Sequence, residues 1–360
     1  MRVGVLLPFT GPEAHFGLGM RNAIRMAADE VNARGGIQGR RLKLVELDEG
    51  TQPELAAAAA RTLVADPRVI AAIGSSEHDA YTAARTVLGE PRVPFLPAAI
   101  TERDLTTVGL NLYPAEYSVL PFGTSQMEKA AKYAWDVLGA RTFLYTREKS
   151  NFGLALINQM RFSLSPYFKT IVTGEEVLGT EADVPELVAK IKAAPPQYIF
   201  FSGRPALAAA FLSGLREAGV KSAFQAAMRE PSQEFIDLAK DKAEGALMVF
   251  PGLPAEDFPA GREFLKAYAA KGYPEPPGAF GVIAYAEAQT LFAALERSFL
   301  TRPSVAGALK NGQFDTALGP VRFNFVGSSY QTMVIHQVVK GRWTPIYLGD
   351  KKGITPFVAR

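Results

Sequence analysis

Ser76, His78 and Asp79 are the residues of this chain whose types could do chemistry together, because serine, histidine and aspartate form the hydrolytic triad. Their spacing argues against that use. As near neighbours on one helical turn, their side chains diverge. No Gly-x-Ser-x-Gly elbow accompanies them. No Gly-x-Gly-x-x-Gly follows the first apolar strand, Val3 to Pro8, so a nicotinamide dehydrogenase is disfavoured. The segment Gly214-Leu215-Arg216-Glu217-Ala218-Gly219-Val220-Lys221-Ser222 faintly suggests a P-loop, but it misses the lysine spacing by one residue and follows a helix. It reads as a helix C-cap turn. His15, His78 and His336 are the only histidines, and no third ligand joins any pair of them, so no metal site is expected. The chain has no cysteine, which removes disulfides, thiolate metal sites and cysteine nucleophiles. No enzyme and no cofactor are expected.

What the residues do offer is binding. The loop after the first strand reads Thr10-Gly11-Pro12 and then Phe16-Gly17, placing an aromatic beside a glycine. Loops at the carboxyl ends of parallel strands are where open α/β sheets take ligands. Ser75 and Ser76 follow an apolar strand, and Ser76-Glu77-His78-Asp79 has capping-box spacing. The ordinary alternative there is a plain helix cap, but free N–H groups at a helix start also bind carboxylates. Arg204 and Arg229 follow buried-looking strands, and arginine can grip a carboxylate through two parallel hydrogen bonds.

The elements that position these residues alternate strand and helix. Strands Val3–Pro8, Leu42–Glu49, Val69–Gly74 and Pro94–Pro97 interleave with helices over Phe16–Arg34, Pro53–Asp66 and Asp79–Gly89. A second series follows Tyr113-Pro114-Ala115-Glu116. Its helices are Val119–Leu138, Phe152–Leu164, Val184–Ala193, Ala206–Ala218 and Ser232–Ala239; its strands are Thr142–Tyr145, Thr170–Glu176, Tyr198–Ser202 and Ala223–Ala227. Alternation with apolar strands predicts parallel sheets covered on both faces. Two further helices, Glu263–Lys271 and Val282–Ser298, precede a β-rich end from Phe314 to Leu348, with a hairpin around Lys340-Gly341.

Composition agrees. The 360 residues exceed one comfortable core, so two domains are expected. A hydrophobic share of 48% argues against disorder, and a net charge of +3 is too small and too evenly spread for a nucleic-acid surface. No apolar run is expected to reach membrane-spanning length. Met1 lies almost directly before the first strand, so no secretory signal is read. The chain is then either an exported protein without its leader or a cytoplasmic one.

Pro8-Phe9-Thr10-Gly11-Pro12, Asn32-Ala33-Arg34-Gly35-Gly36-Ile37-Gln38-Gly39, Asp48, Ile73-Gly74-Ser75-Ser76, Val93 to Ala99, Ala243-Glu244-Gly245, Tyr285 to Ala288 and Leu318 to Phe323 occur in one order across the chain. In that order and spacing the chain resembles the type I periplasmic solute-binding proteins of ABC transporters, in particular the leucine/isoleucine/valine-binding family. The resemblance implies an α/β fold of two lobes, each a parallel sheet flanked by helices, joined by three hinge crossovers near 113–118, 248–254 and 321–326. Lobe one would be 1–117 plus 252–323, and lobe two 118–251 plus 324–360, with the ligand held between them. It also implies an extracytoplasmic monomer that hands a small amino acid or organic acid to a membrane permease. A ligand-sensing regulator or receptor domain of the same fold, in the cytoplasm or outside it, is the alternative.

Carried over residue by residue, the resemblance puts Phe16 over the ligand, Ser75 and Ser76 in the carboxylate loop, and the Ala98 carbonyl on the ligand amine. Phe152, Arg204 and Phe280 fall at aromatic wall positions, and His78 near the cleft mouth with His15. Two departures follow. Where the family's amino-acid binders have threonine this chain has Ile100, with Thr101 one place late. Where they place an acid for the ammonium group it has Met228-Arg229-Glu230-Pro231, so that Arg229 or Glu230 faces the ligand. Both departures weaken the case for an α-amino acid, and Arg204 and Arg229, where both point inward, favour an anionic ligand such as a small organic or aromatic acid.

Overall fold

Strand β1, Arg2–Leu7, is almost wholly apolar and almost wholly buried, as expected for a strand with neighbours on both sides and helices above and below. The computed structural model describes residues 1–100, 115–121, 123–228, 231–252, 254–330 and 333–348. Helix α1 (Ala14–Ala33), β2 (Lys43–Asp48), α2 (Pro53–Ala65), β3 (Val69–Gly74), α3 (His78–Gly89) and β4 (Phe95–Pro97) follow. The four strands form one parallel sheet in the order β2-β1-β3-β4.

The second series is α4 (Gly123–Lys132), β5 (Thr142–Glu148), α5 (Asn151–Leu164), β6 (Ile171–Leu178), α6 (Val184–Ala193), β7 (Tyr198–Ser202), α7 (Pro205–Glu217), β8 (Ala223–Ala227), α8 (Gln233–Ala239) and β9 (Leu247–Pro251). After it come α9 (Pro259–Lys271), α10 (Gly278–Glu296), α11 (Arg302–Asn311), a small hairpin of β10 (Gln313–Thr316) and β11 (Gly319–Arg322), then β12 (Met333–Val339) and β13 (Arg342–Tyr347). The larger sheet runs β13-β12-β9-β8-β7-β5-β6. It is parallel from β6 to β9, and β12 and β13 are added antiparallel.

The chain divides into two compact units, Met1–Phe122 with Leu253–Gln331, and Gly123–Gly252 with Thr332–Arg360. It therefore passes from one to the other three times. Residues 118–121 and 324–330 go with the first unit because they bind each other: Ser118 N–H donates to the Gly327 carbonyl and Ser329 N–H to the Ser118 carbonyl.

Both faces of the larger sheet are covered. Along β7, Tyr198 and Phe200 join the core under α4 and α5, while Ile199 and Phe201 join the core under α6, α7 and α8. Period-2 alternation between two apolar faces is why this strand carries no polar residue before Ser202. In the first unit, α1 packs along α10, tied by Tyr285 Oη donating to Glu30 at 2.7 Å.

Three features differ from the sequence expectation. The helix expected over Val119–Leu138 begins at Gly123 and widens into a π-helical turn, Tyr133–Val137. Pro121 explains the late start, since proline ends helical pairing and pushes the preceding residue into extended backbone. Helix α11 was not expected. Its signal was present, with Thr301 capping the Ser304 N–H and Pro303 in the first turn. Finally, α10 is long and apolar enough to cross a membrane, contrary to the expectation that no run reaches that length. It is a core helix, with 78% of that stretch buried.

Within α10, Glu287 is fully buried, and neither carboxyl oxygen has a hydrogen-bond partner among the described residues. Burial holds its pKa well above the ordinary range and so favours the protonated acid. An unsatisfied buried polar group costs about 1–3 kcal/mol. Glu287→Leu should therefore raise the thermal midpoint, by roughly 2–4 °C per kcal/mol in a chain of this size. A raised folded pKa gives stability that is complete below the ordinary carboxyl pKa and is lost as pH rises through the raised value. Calorimetry from pH 4.5 to 8 should show the variant's advantage widening with pH. An unchanged or lower midpoint for Glu287→Leu would show that the acid is satisfied.

Candidate functional site

In the first unit the parallel register brings the carboxyl ends of β1, β2 and β3 side by side. β3 leaves through Gly74 at φ 131° and Ser75 at φ 61°. Ser75 N–H donates to the Leu6 carbonyl of β1 at 2.5 Å. A Cβ on Gly74 would lie 1.8 Å from that carbonyl oxygen, so only glycine lets the two backbones approach this closely. Left-handed backbone at a serine costs of order 1–3 kcal/mol and persists only where its surroundings over-determine it.

Asp48 and Glu49, at the end of β2, supply those surroundings. Asp48 Oδ1 accepts from the N–H of Phe9 (2.7 Å), Gly50 (2.9 Å) and Thr10 (3.3 Å), and Oδ2 accepts from the Thr10 hydroxyl (2.6 Å). Burial pushes this carboxyl up, but these bonds outweigh it and hold the pKa below the usual range. Asp48 thus ties down the loop that precedes Phe16. Glu49 is fully buried, and its Oε1 accepts from Ser76 N–H at 3.2 Å. Burial is the main cause that pushes its pKa up to about 8; the polar Ser75 side chain and the Ser76 N–H oppose it, and the charges of Glu77 and Asp48 add to it. Glu49 is a residue the sequence reading missed. Its signal was an acid directly after Asp48 at a strand end.

The helix cap also differs from expectation. Glu77, not Ser76, is the N-cap of α3, with its Oε2 accepting from Asp79 N–H (2.9 Å) and Ala80 N–H (3.0 Å). Two of the N–H groups expected to be open to a ligand are therefore occupied by the protein's own carboxylate. Ser75 and Ser76 are both buried, and His78 is the first residue of α3. Ala98, buried, donates to the Gly74 carbonyl at 3.0 Å, and Ala99 follows at φ 59°. Ile100 is buried in the apolar cluster with Tyr81, Leu88 and Phe95. Phe16, half-buried on α1, meets Phe280 of α10 edge-on with ring centroids 5.5 Å apart, and also contacts His15. The two aromatics expected at separate wall positions thus form one pair. Thr101 lies outside the described residues.

In the second unit, β5 ends at Glu148. Ser150 caps α5 by accepting from Gly153 N–H at 3.0 Å, and Phe152, half-buried in the first turn, packs against the core under α5. Ser202 Oγ donates to the Gly153 carbonyl at 2.9 Å, joining the ends of β7 and α5. Arg204 precedes α7; its N–H donates to Glu148 Oε2 at 2.9 Å and its Nε to Oε1 at 2.6 Å. The arginine expected as a ligand group is therefore anchored by an acid the sequence reading did not single out. Its side chain remains 75% exposed, with both terminal nitrogens beyond that anchor. Arg229 and Glu230 lie outside the described residues. His336 is buried in β12, where burial pushes its pKa down to about 4. Trp343 donates from Nε1 to the Ser232 carbonyl at 3.0 Å and stacks on Phe235, a structural role. Gly219 at φ 80° closes α7 as its C-cap turn.

The fold defines a class: two α/β units, each built on a largely parallel sheet, on one chain that passes three times between them. A family model described as periplasmic binding protein matches residues 1–342, and the chain belongs to that family. It is similar to an amino acid binding protein of Pseudomonas aeruginosa, 28% identical over 320 residues, covering 88% of this chain and 84% of that protein. It is 26% identical to the Leu/Ile/Val-binding protein of Escherichia coli K12 over 327 residues, covering 91% and 87%. In structure it is similar to a leucine binding protein of Thermotoga maritima, with a TM-score of 0.82 and 22% identity over 98% of this chain and 99% of that one.

The cap assignment is testable by calorimetry. Glu77→Ala should cost about 1 kcal/mol and lower the midpoint by a few degrees. Ser76→Ala should cost less. Equal losses for the two would return the cap to Ser76.

Proposed function

We propose that this chain is the extracytoplasmic solute-binding protein of an ABC importer, capturing a small carboxylate-bearing ligand as its two units close. The observation that carries this reading is the family match along nearly the whole chain. Relatives named for amino acids, and for leucine, isoleucine and valine, support branched-chain amino acids as the first ligands to try. The partner is a membrane permease, which would receive the ligand from a monomeric, closed binding protein. No step of chemistry is assigned to the chain.

In this reading Phe16, with Phe280 behind it, supplies an apolar wall. The Ser75–Ser76 turn with His78 takes one end of the ligand, and the Ala98–Thr101 segment borders it. Phe152, Arg204 and the Arg229–Glu230 loop act from the second unit. Arg204 suits a carboxylate-bearing ligand of either kind, because its exposed terminal nitrogens can fork onto a carboxylate while Glu148 fixes the stem.

Thermal unfolding against leucine, isoleucine, valine, polar amino acids, urea, short amides and aliphatic and aromatic carboxylates tests the reading. A ligand present at a hundred times its dissociation constant adds about 2.7 kcal/mol, a shift of several degrees. A shift with branched-chain amino acids supports the amino-acid importer, and a shift only with non-amino acids supports the organic-acid form. No shift with any of them would overturn the proposal. Arg204→Ala should weaken carboxylate binding at least about tenfold while moving the unliganded midpoint little, since exposed ion pairs contribute about 0–1 kcal/mol. Unchanged affinity in titration calorimetry would remove Arg204 from the site.

A further inference from the structure

Glu49 is a buried acid that the proposed ligand contacts do not use. It follows β2, yet its side chain reaches the turn after β3, which is two strands away in the sheet order. The turn it reaches is the strained one, with Ser75 in left-handed backbone and Ser76 next to it. Oε1 receives the Ser76 N–H, while Oε2 has no hydrogen-bond partner among the described residues. The charged groups whose fields act on it are Glu77, which caps α3, and Asp48 on its own strand end, and both are acidic. A carboxylate here would face two like charges in a buried place, whereas a protonated acid can accept from Ser76 and still offer a proton on its second oxygen.

We propose that Glu49 is a positioning residue of the carboxylate-binding turn: its buried side chain holds Ser75–Ser76 in the ligand-ready shape and couples anion capture to a proton. The inference rests on the reading of this turn as a ligand loop. A ligand carboxylate brought to the turn adds a third negative charge, so it keeps Glu49 protonated. Capture of a carboxylate then takes up a proton wherever the free protein has already released it. The pKa of about 8 places that regime at the alkaline edge of neutrality. Affinity for a carboxylate falls as pH rises through this range, and Glu49→Gln separates the share of Glu49 from any contributed by His78 beside the same turn.

The test compares wild type, Glu49→Gln and Glu49→Ala, with L-leucine and benzoate as probes, by titration calorimetry from pH 6.0 to 8.8. Wild-type affinity should fall at least about threefold across this range, and Glu49→Gln should lose most of that dependence. At pH 6.0 Glu49→Ala should lose at least about tenfold, and Glu49→Gln should recover most of it, because the amide oxygen still accepts from Ser76. A shared profile for wild type and Glu49→Gln, or undiminished binding by Glu49→Ala, would overturn the inference. Amide hydrogen exchange at Ser76 gives a readout that needs no ligand. Protection in wild type and Glu49→Gln but not in Glu49→Ala supports the latch, and equal protection in all three overturns it. If neither probe binds the wild type, the functional reading fails for these ligands while the exchange experiment still decides the role of Glu49.

Discussion

The parallel pairing of β1 between β2 and β3 is the constraint on which the first unit's site depends. Hydrogen-bonded register fixes Leu7 opposite Asp48 and Leu6 opposite Gly74, so three chain segments far apart in sequence end at one level. From that level the backbone has few choices. Ser75 closes onto the Leu6 carbonyl, Asp48 gathers the Phe9–Thr10 amides, and Glu49 reaches across to Ser76. Each contact is modest alone, about 0.5–1.5 kcal/mol for a neutral hydrogen bond and more for one to a charged group. Together they hold a left-handed serine that no single contact would hold.

The same logic appears in the second unit with different chemistry. There Glu148 at the end of β5 gathers the Arg204 backbone and side chain, and Ser202 joins β7 to the start of α5. In both units an acid at a strand end organises the neighbouring loop, and the aromatic Phe16 at the start of α1 or the cationic Arg204 follows that loop. Carboxylates serve here as internal ligands for backbone N–H groups, a use that rewards charge in one case (Asp48) and its absence in the other (Glu49).

Much of the fold was legible in the sequence because apolar strands and helix stops are local signals. Val184–Ala193, Tyr198–Ser202 and Ala223–Ala227 have the bounds their patterns predict. Pro121 was legible too but was outweighed by the apolar pattern around it, and α11 hid behind a short, glycine-containing segment. The site was legible only in part. Loop positions such as Phe16, Ser75 and Arg204 follow from strand ends, but the partners that hold them do not. Glu49 to Ser76, Glu148 to Arg204 and Phe16 to Phe280 are separated by 27, 56 and more than 200 residues, and nothing periodic marks such pairs. The capping motif shows the limit most plainly, since only Ser76 satisfies it on paper, while in the fold Glu77 takes the cap with its longer side chain.

The packing of α1 along α10 has a consequence for how the molecule comes into being. Tyr285 and Glu30 are 255 positions apart, and Gln38 binds the carbonyls that close α10. The first unit's core therefore waits for a segment made long after its own strands, and loop closure over that distance slows folding. Strands β5 to β8 pair with elements closer by in sequence, although α4 packs on β9 and β12, and β12 joins β9 only from residue 333 onward. During synthesis or release as an extended chain, β5 to β8 can pair while the first unit still lacks α10 and the second still lacks β12 and β13. The apolar strands of the first unit then stay uncovered longest, and that is the interval in which this chain is most exposed to aggregation.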